Sequence, residues 1–346
     1  MYSVGIIGAT GAVGTEMLRV LETRNFPVSE LHLFASDRSV GKNLSFHGST
    51  VSVEPLWASS FDDLDLALFS AGSDISKQWR SAVERSECTM IDNSSAFRME
   101  SGVPLVIPEI NAEDLRSRSR VIAVPNCSTI IMLMAVAPLR TLGKIRRIVV
   151  STYQAVSGAG AKAMQELESQ AREYLRGEPL GQSVFPHPIA FNLFCHNANV
   201  NEAGYNGEEW KMIHETKKIL HDEDLAVTAT CVRVPVFRAH SESINVEFVG
   251  ARPSLEEVHN ALCSFDGVNV VDDRATNHFP MPNEASGQFD VLVGHVRNDV
   301  SNPHAIELFA SGDQLLKGAA LDAVQIAESL VEQRLLLPKR EAKLAA

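Results

Sequence analysis

Short apolar runs alternate with helical patterns through the first part of the chain. These runs have the composition of buried strands, and they cover residues 2–7, 30–35, 64–69, 89–92 and 120–124. A helical period follows the first strand through Met17, Leu18 and Leu21. Because a crossover helix leaves consecutive strands parallel, the alternation predicts an α/β fold class, with an N-terminal Rossmann-like domain built on a mostly parallel sheet.

The pattern changes after residue 142, where the predicted strands become longer and alternate between apolar and polar positions. The strands cover 146–156, 225–234, 242–249 and 289–296, and helical patterns cover 161–176, 208–220 and 255–263. This texture predicts an α+β second domain with a mixed or antiparallel sheet. An amphipathic helix at about 314–335 is expected to pack back on the first domain. The predicted domains are therefore 1–127 with 315–346, and 128–314.

The composition is that of a soluble globular protein, since the 346 residues are 45% hydrophobic and 21% charged. A formal net charge of −12 argues against a general surface for nucleic acid or anionic membrane. A local cluster of basic side chains would still allow a small anionic substrate. The apolar window 121–139 is interrupted by Pro125, Asn126, Ser128 and Thr129, which indicates a strand, a turn and a buried helix rather than a membrane span.

The cysteines are scattered and odd in number, at positions 88, 127, 195, 231 and 263. They form no CxxC pair and no Cys/His spacing typical of a metal site, so we predict neither a disulfide framework nor a bound metal. The chain opens directly into a strand pattern, with no basic segment before an apolar stretch. A reducing cytoplasm is the expected location.

Cys127 is the strongest candidate for a nucleophile. It precedes the apolar run 128–139, which predicts a buried helix with Cys127 at its first turn. Unpaired N–H groups and the positive end of the helix dipole favour a thiolate there, and a thiolate suits attack on a carbonyl carbon. Most cysteines outside disulfides are small buried hydrophobes, and the position alone does not decide between the two interpretations.

A glycine-rich turn follows the first predicted strand, with glycines at 8, 11 and 14. Such a turn lets the backbone approach a pyrophosphate at a helix N-terminus. Since the spacing is GxxGxxG rather than GxGxxG, a tight turn without a ligand is the alternative. The residues expected to contact a dinucleotide are Gly8, Thr10, Gly11, Ala12 and Val13.

The end of the second predicted strand favours NADP(H) over NAD(H). An NAD site usually has an acidic residue there for the ribose 2′-OH, whereas Ser36, Arg38 and Ser39 suit a 2′-phosphate. The acidic Asp37 is the residue in this segment that would favour NAD(H). At the same sheet edge, we expect further cofactor contacts from Ser70, Ala71 and Gly72.

Two segments of the second domain carry further candidate chemistry. Gln154 ends a strand and could orient an intermediate, while Ser157 and Gly158 in the following turn could face a nicotinamide, although this turn could also simply join strand and helix. Arg233 offers a bidentate fork for a carboxylate, and His240 has an ordinary pKa near 6.5, suited to proton exchange at neutral pH.

Candidate anion sites complete the set. Arg98 follows a polar turn that begins at Asp92 and Asn93 and could hold phosphate. Glu208 and Lys211 are spaced i, i+3 and share one helical face, where a solvated salt bridge is the usual interpretation.

Taken together, these segments resemble the aspartate-β-semialdehyde dehydrogenase family over essentially the whole chain. The resemblance rests on residues 8–14, 94–98, 125–129, 154–158, 208–211, 231–235, 238–241 and 312–320. It implies reversible NADP- and phosphate-dependent oxidation of L-aspartate 4-semialdehyde to L-4-aspartyl phosphate. The biosynthetic direction is the reverse, and it feeds the synthesis of lysine, threonine, methionine and, in many bacteria, diaminopimelate.

The resemblance also implies a role for each candidate residue. The thioester would form on Cys127, with Gln154 orienting the intermediate and His240 as the acid/base. The substrate's α-carboxylate would bind Arg233 and its α-amino group Glu208. Phosphate would bind Arg98 and Lys211, with Asn93 beside them, and the cofactor would also contact Ser157, Gly158 and Gln314. Family members are homodimers or dimers of dimers joined through the second, catalytic domain.

Two alternatives remain open at this point. An N-acetyl-γ-glutamyl-phosphate reductase uses similar cysteine and histidine chemistry with NADP, but its acetylated substrate nitrogen carries no charge for Glu208 to bind. A non-catalytic NADP-binding sensor would keep the fold without the chemistry, because a fold alone does not establish a function.

Overall fold

The computed structural model describes residues 1–117 and 119–339, so the last part of the predicted 315–346 segment lies outside the described residues. Two compact units are present. The first contains Met1–Asn126 together with the chain from Ala319 onward, and the second contains Cys127–Gly318. Each unit has its own seven-stranded sheet.

The sheet of the first unit is parallel apart from one hairpin. Its strands are β1 Tyr2–Ile7, β2 Val28–Phe34, β3 Asn43–Phe46, β4 Ser49–Glu54, β5 Leu66–Phe69, β6 Thr89–Asp92 and β7 Val121–Ala123. They lie in the order β3-β4-β2-β1-β5-β6-β7, and only the β3–β4 pairing is antiparallel. Every residue of β1 is buried, as expected for a central strand with both faces covered. The predicted mostly parallel sheet is confirmed.

The sheet of the second unit is mixed. Its strands are β8 Ile145–Gln154, β9 Phe194–Cys195, β10 Ala226–Arg233, β11 His240–Phe248, β12 Val268–Val270, β13 Val291–Asn298 and β14 Ala305–Gly312. They lie in the order β12-β13-β14-β11-β8-β10-β9, with β8–β10 and β12–β13 parallel and the other pairs antiparallel. This confirms the predicted mixed sheet. β14 lies near its centre but was not among the predicted strands.

The helices predicted at 161–176, 208–220 and 255–263 are present with small shifts, and three further helices had no predicted bounds. The helices before the last segment are α1 Ala12–Thr23, α2 Ser73–Arg85, α3 Pro108–Asn111, α4 Cys127–Val136, α5 Ala161–Leu175, α6 Gly207–Leu220, α7 Leu255–Cys263 and α8 Pro282–Ala285. The predicted buried helix 128–139 is α4, which ends at Val136. A 3₁₀ turn continues it over Ala137–Thr141, with Pro138 at the start of that turn.

The predicted last helix is shorter than 314–335. A π-helical turn covers Leu316–Ala320, and the α-helix proper is α9, Leu321–Glu332. Within the first unit, α9 packs against α1, α3 and β6. Arg24 and Glu328 form an ion pair at 2.8 Å, and Gln325 donates to Glu109 at 2.7 Å. Within residues 1–117 and 119–339, no helix combines the length and apolar character needed to cross a bilayer.

Candidate active site

The register of the second sheet brings three predicted residues into one row. β10 and β8 pair Arg233 with Gln154, and the pairing of Ser241 with Tyr153 leaves His240 beside Gln154. All three side chains are buried. Because side chains alternate between the faces of a sheet, the three lie on the same face at the end of their strands.

His240 is a neutral histidine whose proton sits on a defined nitrogen. Its Nδ1 accepts a hydrogen bond from the Ala155 N–H at 2.9 Å, so the neutral ring carries its proton on Nε2. Complete burial, together with the positive charge of Arg233, lowers the pKa of His240 well below 6.5. The sequence alone gives only the ordinary pKa of a histidine, and the buried environment shifts the pKa of His240 downward from it.

Arg233 is held by Ala155 as well, the residue that bonds to His240. Its Nη1 donates to the Ala155 carbonyl at 2.6 Å, and its Nη2 lies 2.9 Å from His196 Nε2. The guanidinium carbon lies 5.6 Å from the centre of the Phe185 ring. Burial lowers the pKa of Arg233 and also that of His196. His196 and Phe185 were missed by the sequence analysis, because neither lies in a periodic segment.

Gln154 connects the row to two helices. Its Nε2 donates to Ser128 Oγ on α4 and to Glu208 Oε1 on α6, both at 3.0 Å. Among the described residues, no donor reaches the buried Gln154 Oε1. The Asn206 side chain caps α6 and forms a capping box with Glu209, which sets where the helix begins and hence where Glu208 points.

Glu208 and Lys211 form the ion pair that their spacing predicted, at 3.1 Å. The pair is not a solvated one, because the Glu208 side chain is only 7% exposed while that of Lys211 is 36% exposed. Glu208 is therefore a buried carboxylate that bonds at once to Gln154 and to the Lys211 ammonium group.

Cys127 is the first residue of α4, as predicted. Its side chain is partly exposed, whereas Ser128 to Val136 are all buried. Cys127 and Arg233 interact electrostatically. A helix N-terminus and a nearby cation both stabilise a thiolate, so the surroundings suit an ionised cysteine.

The turn after β8 lies against the row formed by Gln154, Arg233 and His240. A Cβ built on Gly158 would lie 3.2 Å from Arg233 Nη1 and 3.3 Å from His240 Nε2, so a side chain at this position would crowd both groups. The neighbouring Ser157 is buried, and Gln314 Nε2 donates to its Oγ. Gln314 Oε1 accepts from the Ala239 N–H at 2.9 Å. The side chains of Ser157 and Gln314 thus bond to the protein, and Gly158 is the exposed member of the three.

One row further down the same sheet face lies a carboxyl group that the sequence analysis missed. Glu242 pairs with Thr152 on β8 and is completely buried. Neither of its carboxyl oxygens has a hydrogen-bond partner among the described residues. Burial raises the pKa of Glu242 well above its ordinary value, so the group is a neutral acid.

In the first unit, the glycine turn has the geometry that a dinucleotide requires. Gly8 has φ +91°, and the Gly11 N–H donates to the Gly8 carbonyl at 2.9 Å. A Cβ on Gly14 would lie 2.2 Å from that carbonyl oxygen, so only glycine fits at this position. α1 begins at Ala12, so its first N–H groups, including that of Val13, point outward from the N-terminal end of the helix.

A cavity of about 450 Å³ opens beside this turn. Four of its lining residues, Gly8, Ser36, Asp37 and Ala71, come from segments that the sequence analysis singled out. The prediction missed its apolar wall, which is formed by Ile7, Phe34, Ala35, Leu56, Ile75 and Trp79, with Gln78 beside them.

The other predicted cofactor residues differ in how accessible they are. Arg38 is exposed, whereas Ser39 is buried and lies 3.3 Å from Thr10, hydroxyl to hydroxyl. Ser70 Oγ donates to the Ile7 carbonyl at 3.2 Å, and Gly72 has φ +93° immediately before α2. Ser70 and Ser39 therefore hold the turn together, while the exposed Arg38 is not among the residues that line the cavity.

The predicted phosphate turn lies in the first unit as well. Arg98 is buried, and it donates to the carbonyls of Val124 and Asn93, each at 2.9 Å. The Asn93 amide donates to the Phe69 carbonyl at 3.3 Å. Arg98 is thus held rigidly by main-chain oxygens, and it belongs to a different unit from Lys211.

Comparison with known proteins gives matches over nearly the whole chain. Residues 3–118 match the family model for the NAD binding domain of semialdehyde dehydrogenases, and residues 136–317 match the model for their dimerisation domain. The chain is 51% identical over 330 residues to the aspartate-semialdehyde dehydrogenase of Synechocystis sp., covering 95% of this chain and 97% of that protein. The chain belongs to the aspartate-semialdehyde dehydrogenase family.

Other members of the aspartate-semialdehyde dehydrogenase family show the same relationship. The enzyme from Prochlorococcus marinus is 47% identical, covering 95% of this chain and 96% of that protein. Aspartate semialdehyde dehydrogenase II from Vibrio cholerae, solved in complex with ASA, has a TM-score of 0.93 and 43% identity, covering 96% of this chain and 98% of that one. The predicted family and fold class are confirmed.

Proposed function

We propose that the chain catalyses the reversible, phosphate- and NADP-dependent conversion of L-aspartate 4-semialdehyde to L-4-aspartyl phosphate through a thioester on Cys127. The single observation that carries this is the cluster of Gln154, Arg233 and His240 in one buried row of the unit that begins with Cys127. In the biosynthetic direction the reaction serves the synthesis of lysine, threonine, methionine and diaminopimelate.

The first chemical step needs a nucleophile and a leaving group. The Cys127 Sγ attacks the acyl carbon of aspartyl phosphate, a C–S bond forms, and the C–O bond to phosphate breaks with its electron pair leaving on phosphate. The N-terminus of α4 and the charge of Arg233 support the thiolate form that this step requires. Among the predicted phosphate residues, Lys211 lies in the same unit as Cys127, and we assign the departing phosphate to it.

The first unit suits the cofactor that the second step requires. When bound, NADPH supplies the hydride that reduces the thioester carbon. The glycine turn, in which only glycine fits at position 14, and the N-terminus of α1 suit the pyrophosphate of a dinucleotide. The cavity beside them suits its adenosine. We propose that the exposed Arg38, with Ser36, binds the 2′-phosphate and so favours NADP over NAD. Asp37 lines the same cavity and is the residue opposed to this assignment.

His240 handles the charge that develops on the substrate oxygen. The Ala155 N–H occupies Nδ1, so the N–H at Nε2 is the group that can donate to the oxyanion as the tetrahedral species forms. Gly158 leaves room beside Nε2 because it has no side chain. Gln154, whose Oε1 meets no protein donor among the described residues, orients the same intermediate.

Substrate specificity follows from two buried charges. We assign the substrate's α-carboxylate to the Arg233 fork and its α-ammonium group to Glu208. A buried carboxylate suits a charged ammonium group, whereas the acetylated nitrogen of an N-acetylglutamate semialdehyde carries no charge. This chemistry favours aspartate semialdehyde over the acetylated alternative.

The second unit also suits self-association. Several residues on the other face of its sheet are half-buried or exposed, among them Ser151, Tyr153, Ser243 and Phe309, and the Tyr153 and Phe309 rings lie 6.1 Å apart. We propose that this unit joins two copies of the chain into a homodimer, or a dimer of dimers. Sedimentation equilibrium tests the assignment, and a monomer at micromolar concentration would contradict it.

The decisive experiment is an assay of NADP reduction with aspartate semialdehyde in the presence and absence of phosphate. We expect turnover that requires phosphate, and none with N-acetylglutamate semialdehyde. Cys127→Ala should abolish turnover while leaving the Kd for NADP within a few-fold of that of the wild type. Turnover of the acetylated substrate alone would reject the proposal, and near-normal activity of the variant would reject the nucleophile.

A further inference from the structure

The π-helical turn that ends the second unit lies directly against the first residue of α4. A Cβ built on Gly318 would lie 2.8 Å from Cys127 Cβ and 3.3 Å from Cys127 Cα. Real Cβ atoms essentially never approach another heavy atom as closely as 2.8 Å. Glycine is therefore the only residue type that fits at position 318 without a displacement of the chain.

The atom that Gly318 touches cannot move out of the way by itself. Rotation about χ1 moves Cys127 Sγ but leaves Cβ where it is, because the main chain alone sets the position of Cβ. The main chain of Cys127 is part of α4, and the rest of that helix is buried between α6 and strands β11, β13 and β14. A larger residue at 318 must therefore displace either the start of α4 or the turn.

The turn is anchored as firmly as the helix. The N–H groups of Leu316 and Gly318 donate to the Asp313 carbonyl at 3.0 and 3.2 Å. The Asp313 carboxylate is fully buried and accepts from Arg238 Nε and from the Gly287 N–H, both at 2.6 Å. Two rigid elements thus meet at a contact that leaves no room for a Cβ at position 318.

We infer that Gly318 is a positioning residue for the Cys127 nucleophile. Its lack of a side chain lets the turn press on Cys127 Cβ and so sets where the sulfur lies relative to Arg233, His240 and Gln154. The inference rests on the proposed role of Cys127. π-helical turns are rare and are found frequently at functional sites, which agrees with a role of this kind.

The test is Gly318→Ala in the full-length chain, with Gly143→Ala as the matched control. A Cβ on Gly143 would lie 3.5 Å from the Phe248 ring, an ordinary contact. We expect Gly318→Ala to lower kcat by about 10²-fold, because a shift of about 1 Å in a reacting group has an effect of that size. The KM for NADP should stay within about twofold, and Gly143→Ala should change neither constant.

A double-mutant cycle identifies the atom responsible, and it does not depend on activity. Gly318→Ala should lower the midpoint of thermal unfolding by about 2 °C or more in the wild type and in Cys127→Ala, which both keep Cβ. It should lower the midpoint much less in Cys127→Gly, which lacks Cβ. Equal destabilisation in all three backgrounds would overturn the inferred contact.

The rate of alkylation of Cys127 by iodoacetamide, followed by mass spectrometry across pH 6–9, separates this inference from the proposed function. We expect Gly318→Ala to change the rate and its pH profile, whereas Gly143→Ala should match the wild type. A kcat within about twofold of the wild type, with an unchanged alkylation profile, would overturn the positioning role. A wild type without activity on aspartate semialdehyde would reject the proposed function while leaving the cycle and the alkylation result valid.

Discussion

Replacing Glu242 by glutamine should raise the stability of the protein, relative to the wild type, increasingly as the pH rises from 5 to 8. Glu242 is completely buried, one row from Gln154, Arg233 and His240 on the same sheet face, and neither carboxyl oxygen has a hydrogen-bond partner among the described residues. Burial raises the pKa of this carboxyl well above 4.5, so the group is protonated in the folded state. In the unfolded chain the same group ionises above about pH 4.5, as an ordinary glutamate does.

The size of the effect follows from proton linkage. Above pH 4.5 the unfolded chain releases a proton that the folded chain keeps, so the contribution of Glu242 to stability falls as pH rises towards its folded pKa. Each pH unit in that window lowers the free energy of unfolding by about 1.4 kcal/mol. At pH 7 the accumulated loss reaches at most about 3.4 kcal/mol, because 2.5 units separate pH 7 from the unfolded pKa. Glutamine has nearly the same shape and does not titrate, so it escapes this loss.

The assay is urea unfolding of the wild type and of Glu242→Gln at pH 5, 6, 7 and 8, followed by a probe in the second unit. The difference in the free energy of unfolding should increase with pH in favour of the variant, with a slope of about 1.4 kcal/mol per unit or less. The buried amide adds its own cost of about 1–3 kcal/mol, which is independent of pH and offsets the whole curve. A difference that stays constant from pH 5 to 8 would refute the assignment of a neutral acid, whatever its sign.

Further predictions concern the catalytic and cofactor residues. His240→Ala should lower kcat by about 10²–10⁴-fold. Because burial lowers the pKa of His240 well below 6.5, the pH profile of wild-type kcat at saturating substrate should show no change of slope near pH 6.5. A change of slope there that is absent in the variant would contradict the lowered pKa. Arg38→Ala should raise the KM for NADP by about 10–100-fold, the scale of one charge-assisted hydrogen bond, and leave the KM for NAD nearly unchanged. An equal increase for both cofactors would remove Arg38 from the 2′-phosphate site.

The sequence predicted best where local signals are strong. The glycine turn after β1, the first residue of α4 and the bounds of α7 all follow from neighbouring residues alone. The β3–β4 hairpin was missed because most of its residues are exposed and polar, so no apolar period marks it. β14 was missed for the opposite reason, since it is buried on both faces over much of its length and shows no clean alternation.

The chemistry of the candidate site shows the same limit. Strand ends indicated Gln154, Arg233 and His240, because polar residues at a sheet edge are a local signal. The low pKa of His240 was missed because it arises from burial and from Arg233, and the pairing of strands distant in the sequence brings that charge close. His196 depends in the same way on a long-range contact, with Arg233.

Ala155 binds the imidazole through its N–H and the guanidinium through its carbonyl oxygen. The main chain of one residue thus sets the distance between the group that would receive the substrate's carboxylate and the group that would meet its reacting oxygen. Because both hydrogen bonds are made by the main chain of Ala155, a shift of this residue moves both side chains together. A designer who wants a longer substrate in this scaffold would have to rebuild the backbone at position 155 as well as its neighbours' side chains.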